Sequence, residues 1–119
     1  MTAISRKCAS KPLRLLLKKT DIIEKNDRIL DYGCGKGTDI EYLRRLGCRA
    51  EGYDPYEPFG FSDPPEGKFN TVLMTYVLNV IPYERERNEA LESALNYVTD
   101  GGWLFIATRT KKAIKGVRY

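Results

Sequence analysis

Residues 29–37, ILDYGCGKG, set Gly33, Gly35 and Gly37 at alternate positions behind a short apolar run that ends in Asp31. Glycines directly after a strand let the backbone turn tightly and let a ligand lie against bare main chain. A helix beginning there offers free N–H groups and the positive end of its dipole. Some twenty residues past the first glycine, Asp54 closes the next strand-like segment, where an acid accepts hydrogen bonds from ribose hydroxyls. The spacing points to an adenosine-containing ligand. A dinucleotide fingerprint counted from Gly33 needs its third glycine at position 38, which is Thr38; the third glycine here is Gly37. A nicotinamide dehydrogenase is therefore disfavoured.

The other chemistry-bearing residues narrow the reaction further. The chain has no histidine, which removes the commonest general base. Its three cysteines, Cys8, Cys34 and Cys48, form no CxxC pair, so neither a metal site nor a disulfide framework is expected. Such cysteine usage fits a reducing, cytoplasmic setting. Cys34, inside the glycine loop, reads as a small side chain rather than a nucleophile. Tyr76 either flanks the ligand or packs as an ordinary aromatic. Residues 84–89 alternate in charge and read as the solvated face of a helix.

The 119 residues predict one domain, 1–119, with a single core and no room for a separate substrate domain. A hydrophobic content of 42% and a charged content of 30% are those of an ordinary soluble globular protein. No apolar run approaches the ~18 residues of a transmembrane helix, and no signal-peptide pattern opens the chain. The net charge of +4 hides a sharper pattern. Arg6, Lys7, Lys11, Arg14, Lys18 and Lys19 stand near the start, and Arg109, Lys111, Lys112, Lys115 and Arg118 near the end, with no acid among them. All the acids lie between. The basic ends either touch nucleic-acid phosphates or are merely solvated.

Several elements must position these residues. Ser10-Lys11-Pro12 starts a helix with Leu13, Leu16 and Leu17 on its apolar face. Residues 28–32 form a strand into the glycines. Thr38-Asp39-Ile40-Glu41 is a capping-box pattern opening a helix that Gly47 ends. Residues 49–53 form a second strand, and 55–68, with four prolines, a loop holding at most a strand remnant at 59–62. Residues 71–75 form a buried strand, followed by a turn or short helix through Ile81. The longest helix is expected over 82–98, with Leu91, Ala94, Leu95 and Val98 as its stripe. Asp100-Gly101-Gly102 then turns the chain into a last strand over 103–108. Alternating strands and helices imply a parallel α/β sheet whose ligand lies along its carboxyl edge.

The pattern Asp-x-Gly-x-Gly-x-Gly over Asp31–Gly37 resembles the first motif of class I S-adenosylmethionine-dependent methyltransferases. FNTVLMTYVLNVI resembles that family's fourth strand, with Asn70 in place of the usual aspartate, and VTDGGWLFIATR its glycine turn and fifth strand. With TAISRKCASKPLRLLLKK, DYGCGKG, GYDP and YVLNVI, the chain is further similar to the N-terminal part of methyltransferases associated with DNA phosphorothioation gene clusters. The resemblance implies a Rossmann-like, mostly parallel sheet with flanking helices and S-adenosylmethionine as cofactor. It places Asp31 at the methionine end and implies cofactor contacts at Gly33, Cys34, Gly35, Gly37, Asp54, Pro55 and Tyr76. It assigns no catalytic residue.

Two departures accompany the likeness. The family's third strand is reduced to the proline-rich loop, leaving Phe61, Ser62 or Asp63 to wall the adenine. Its last hairpin is replaced by a basic tail, so a minimal or truncated fold is expected. Asn79-Val80-Ile81-Pro82-Tyr83 invites comparison with the Asn-Pro-Pro-Tyr motif of DNA amino-methyltransferases, but has one residue too many and starts several residues past the strand. The expected activity is methyl transfer to an unassigned acceptor, with nucleic acid favoured by the basic ends. The rival is a non-catalytic module that binds S-adenosylmethionine or nucleic acid alongside a partner. Oligomeric state is not encoded legibly.

Overall fold

The computed structural model describes residues 9–78, 81–108 and 114–118. Arg6, Lys7, Cys8, Asn79, Val80, Arg109, Lys111 and Lys112 lie outside that set. The elements run α1 (Lys11–Lys19), β1 (Arg28–Tyr32), α2 (Thr38–Arg45), β2 (Arg49–Tyr53), β3 (Phe69–Thr75), α3 (Glu84–Leu95), β4 (Val98–Ala107) and β5 (Ile114–Arg118). The strands form one sheet in the order β2-β1-β3-β4-β5, parallel except for β5. Chain order reverses direction between β1 and β3, which is where an open α/β sheet opens a crevice for ligand.

α1 starts as expected. Ser10 caps it, its Oγ accepting the Leu13 N–H at 3.4 Å, and Pro12 occupies the first turn. Pro12, Leu13 and Leu16 are buried, whereas Lys11, Arg14, Lys18 and Lys19 face outward. α2 ends as expected too: Gly47 and Cys48 donate to the Arg44 and Leu43 carbonyls at 3.0 and 3.1 Å, closing the helix in a Schellman arrangement.

The expected capping box at Thr38 does not form. Gly37 holds the cap position in left-handed backbone, so the helix begins one residue earlier than a side-chain cap would set it. Asp39, buried in the first turn of α2, accepts instead from the Ser10 N–H at 2.7 Å and hydroxyl at 2.6 Å. One carboxylate thus ties the start of α1 to the start of α2, at a helix end where negative charge is favoured.

Three other expectations are corrected. The helix expected over 82–98 is shorter, Glu84–Leu95, because Val98 pairs with Phe69 and opens β4. Asp100-Gly101-Gly102 is no separating turn but an irregularity inside β4, where the register jumps from Phe69↔Val98 to Thr71↔Trp103. The basic tail is not merely a tail: residues 114–118 add an antiparallel strand, with Ala107 opposite Ile114 and Trp103 opposite Arg118. The proline-rich segment is a loop, as expected, with a 3-10 turn at Glu57–Phe59.

Two apolar layers sandwich the sheet. On one face α1 and α2 set Leu13, Leu16, Ile40 and Leu43 against Ile29, Ala50, Leu73 and Phe105. On the other, Ala94 of α3 joins Leu30, Val72, Met74 and Leu104, rimmed by Tyr32, Tyr53 and Tyr97. No helix among the described residues is long and apolar enough to cross a membrane.

Candidate functional site

The parallel pairing of Tyr32 with Tyr53 sets the carboxyl ends of β1 and β2 side by side. The chain leaving β1 turns immediately: Gly33 and Cys34 both donate their N–H to the Tyr53 carbonyl, at 2.6 and 3.2 Å. The next amide, Gly35 N–H, reaches across to Asp54 Oδ2 at 2.9 Å. Asp54 Oδ1 accepts the Tyr56 N–H at 3.0 Å, and the Asp54 N–H itself donates to the Phe61 carbonyl at 2.9 Å. One side chain therefore fastens the glycine loop to the segment after β2. A carboxylate offers about four lone-pair sites, so both Asp54 oxygens keep acceptor capacity toward hydroxyl groups.

The glycines are demanded by this packing. Gly33 and Gly37 sit at φ +86° and +82°, where side chains are strained. A Cβ on Gly33 would lie 2.4 Å from Val77 Cγ2, and one on Gly37 would lie 2.7 Å from Phe61 Cζ. Gly35, at φ +57°, turns the loop between them. Neither Val77 nor Phe61 announces its partner glycine in the sequence. The only available signal is their place just past the ends of β3 and β2.

Asp31 is buried at 4% exposure, paired in register with Gly52 on one side and Leu73 on the other. Cys34 is also buried, and its thiol turns inward, close to where a Cβ on Gly52 would lie. Burial first, then the nearby Asp31 and Asp54 charges, push the thiol up to about 12, so it stays neutral at physiological pH. The small-side-chain reading of Cys34 agrees with that placement; only its main chain faces the loop. Tyr76 follows β3 directly, in left-handed backbone at φ +61°, its N–H bound to the Ala107 carbonyl at 2.8 Å. For a non-glycine residue that conformation costs on the order of 1 kcal/mol, and such strain gathers at functional sites. Pro55 is exposed beside Asp54. Phe61 closes on Gly37 and, with Asp63, also lines a cleft beyond β2.

Seven of the eight expected residues thus lie at the carboxyl ends of β1 and β2 or in the turns just after them, and Tyr76 lies at the end of neighbouring β3. The fit to an adenosyl amino acid follows from the donor set. A buried carboxylate at the end of β1 suits an ammonium group. A half-exposed one at the end of β2 suits paired hydroxyls, and the glycine backbone between them has no side chain to obstruct an approach. No group of carboxylates and thiols among the described residues could hold a metal ion.

The family described as "Methyltransferase domain" matches residues 2–117. No curated protein matches the sequence. Among solved structures, a TehB-like SAM-dependent methyltransferase from Corynebacterium glutamicum shares the fold at a TM-score of 0.65 and 21% identity, over 80% of this chain and 60% of that one. CalS10, an amino pentose methyltransferase from Micromonospora echinaspora with SAM bound, gives 0.54 and 18%, over 83% of this chain and 48% of that one. A 1,6-didemethyltoxoflavin-N1-methyltransferase from Burkholderia thailandensis, with S-adenosylhomocysteine bound, gives 0.59 and 16%, over 77% and 54%. This chain therefore spans roughly half the length of such structures. With the family match running across nearly all of it, the protein belongs to the class I S-adenosylmethionine-dependent methyltransferases, and S-adenosylmethionine is its cofactor.

Proposed function

We propose that the carboxyl ends of β1 and β2 hold S-adenosylmethionine for methyl transfer to an acceptor at the open side of the glycine loop. The observation that carries this reading is the bridge from Asp54 to the Gly35 N–H. It brings the strand-end acid and the glycine backbone into one cradle before any ligand arrives.

Each residue then has a task. Asp31 faces the ammonium group of the methionine end, and Asp54 accepts from the ribose hydroxyls. Gly33, Cys34, Gly35 and Gly37 present bare main chain, while Pro55 and Tyr76 flank the ligand. When bound, the cofactor would supply a sulfonium-activated methyl group to the acceptor's lone pair. The protein's part is to hold two reactants in line. With no histidine in the chain and Cys34 held neutral, the site suits an acceptor acidic enough to lose its own proton to water.

Titration calorimetry with S-adenosylhomocysteine and with NAD tests the cradle. Micromolar binding of the first and far weaker binding of the second is expected; NAD binding as tightly overturns it. Asp54→Ala should cost ~1–3 kcal/mol of S-adenosylhomocysteine affinity, the worth of charge-assisted hydrogen bonds. Unchanged affinity would return Asp54 to a purely structural role. Methyl-labelled cofactor separates enzyme from module: label passing to an acceptor supports catalysis, and retention without transfer supports the binding module.

A nucleic-acid acceptor is the second reading, favoured by one observation. Leu13 and Leu16 of α1 share one apolar cluster with Leu73 of β3 and Phe105 of β4, and β5 pairs with β4. The exposed cations of α1 and the basic strand β5 therefore share one half of the molecule.

A further inference from the structure

β2 is an edge of the sheet: β1 pairs with one side of it, and no described strand pairs with the other. Strand parity decides which main-chain groups face outward. The Arg49 N–H donates to the Asp27 carbonyl, and the Tyr53 carbonyl accepts from Gly33 and Cys34, so the odd-numbered residues address β1. Ala50 and Gly52 therefore turn their N–H and C=O groups to the open side. Arg44 Nε covers the Ala50 carbonyl at 3.0 Å. The Gly52 pair faces the edge with no ladder partner among the described residues. An edge left so is a template for another strand.

The loop after β2 frames this edge without filling it. It is fastened near the carboxyl end of β2 by Asp54 N–H to Phe61 O at 2.9 Å, and near the other end by Arg28, which donates to the Glu66 and Lys68 carbonyls at 3.2 and 2.8 Å. Between loop and strand lies a cleft of about 410 Å³ lined by Arg44, Glu51, Gly52, Phe61, Asp63 and Glu66, among others. None of Gly33, Gly35, Gly37 or Asp54 lines it; Phe61, which closes on Gly37, stands between it and the cofactor cradle. Adjacent strands stand about 4.8 Å apart and rise about 3.3 Å per residue, so a single strand of some four residues suits the opening. A second copy of the whole sheet would meet the framing loop.

Charge selects the occupant. Glu51 is paired with Arg28 at 3.0 Å, and Arg44 is turned to the Ala50 carbonyl. Asp63 and Glu66 are exposed and form no ion pair among the described residues. A rim of that kind repels phosphates and attracts ammonium or guanidinium groups. We propose that the cleft is a strand-addition site for an extended basic segment of a partner protein. The segment would pair with the Gly52 backbone and set its Lys or Arg side chains over Asp63 and Glu66.

The test uses the full chain, ¹⁵N-labelled, titrated with a synthetic Lys-Val alternating hexapeptide and with its Glu-Val counterpart. The lysine peptide alone should shift the Gly52 amide and slow its hydrogen exchange at least tenfold. Glu66→Lys should weaken that binding at least threefold while S-adenosylhomocysteine affinity and melting temperature hold. Equal binding of both peptides, binding of neither, or an unperturbed Gly52 amide overturns the proposal. Displacement of the lysine peptide by S-adenosylhomocysteine also overturns it, since the cleft would then belong to the cofactor site.

Discussion

At the scale of single residues, the glycine loop shows two kinds of glycine. Gly33 and Gly37 are held by the protein's own contacts, with Val77 and Phe61 occupying the space a Cβ would need. Gly33→Ala and Gly37→Ala should each destabilise the fold by ~1–3 kcal/mol, since left-handed strain and a forced neighbour shift act together. Urea unfolding measures this directly, and an unchanged midpoint would contradict the packing. Cys34 gives a pH signature. Its folded thiol titrates near 12 against an ordinary 9.0, so above pH 9 the unfolded chain loses a proton that the folded one keeps. Stability is therefore full below pH 9 and falls as pH rises, by about 1.4 kcal/mol per unit from this group. Cys34→Ala should remove that share of the alkaline slope, as compared in denaturant titrations at pH 8 and 10.

At the scale of elements, β5 matters beyond its charge. It covers the edge of β4 along the register from Trp103 to Ala107. Cutting the chain after residue 108 would bare those backbone groups, and bare edges pair with other chains. The truncated protein should melt lower and scatter light on warming, while the glycine loop and Asp54 remain in sequence. A melting temperature equal to the intact chain's would show that β5 contributes nothing to the sheet. The Ser10–Asp39 pair makes a comparable link between α1 and α2. The sequence shows only two separate helix starts, because a helix start reveals its local donors but not a distant acceptor.

At the scale of the whole molecule, the basic ends bear on the acceptor. Because β5 is part of the sheet, truncation would confuse charge with folding, so charge neutralisation is the cleaner probe. Lys111, Lys112, Lys115 and Arg118 changed together to Gln should flatten the salt dependence of duplex binding by up to ~3–4 units of log–log slope. Fluorescence titrations at several salt concentrations read it. Identical slopes would reduce the tail to a solvated edge and leave the nucleic-acid reading without physical support.

Much was legible in the chain itself. Strand-then-glycine-then-helix, an acid at the end of the next strand, and the order of apolar runs required only local rules of turn geometry and periodicity. Those rules led to the parallel sheet and pointed to the loop glycines and Asp54, whereas Asp31 entered through the resemblance to methyltransferases. What they could not give depends on which segments meet. The antiparallel placement of β5, the extension of β4 through Asp100-Gly102 and the loss of Val98 from α3 are all decisions of the β3–β4–β5 ladder, made by backbone pairing between distant residues. The Asp54–Gly35 bond and the Phe61–Gly37 contact likewise arise only once β2 lies beside β1. Local propensity fixes what a segment can become, and hydrogen-bond pairing and burial across the sheet choose among the options.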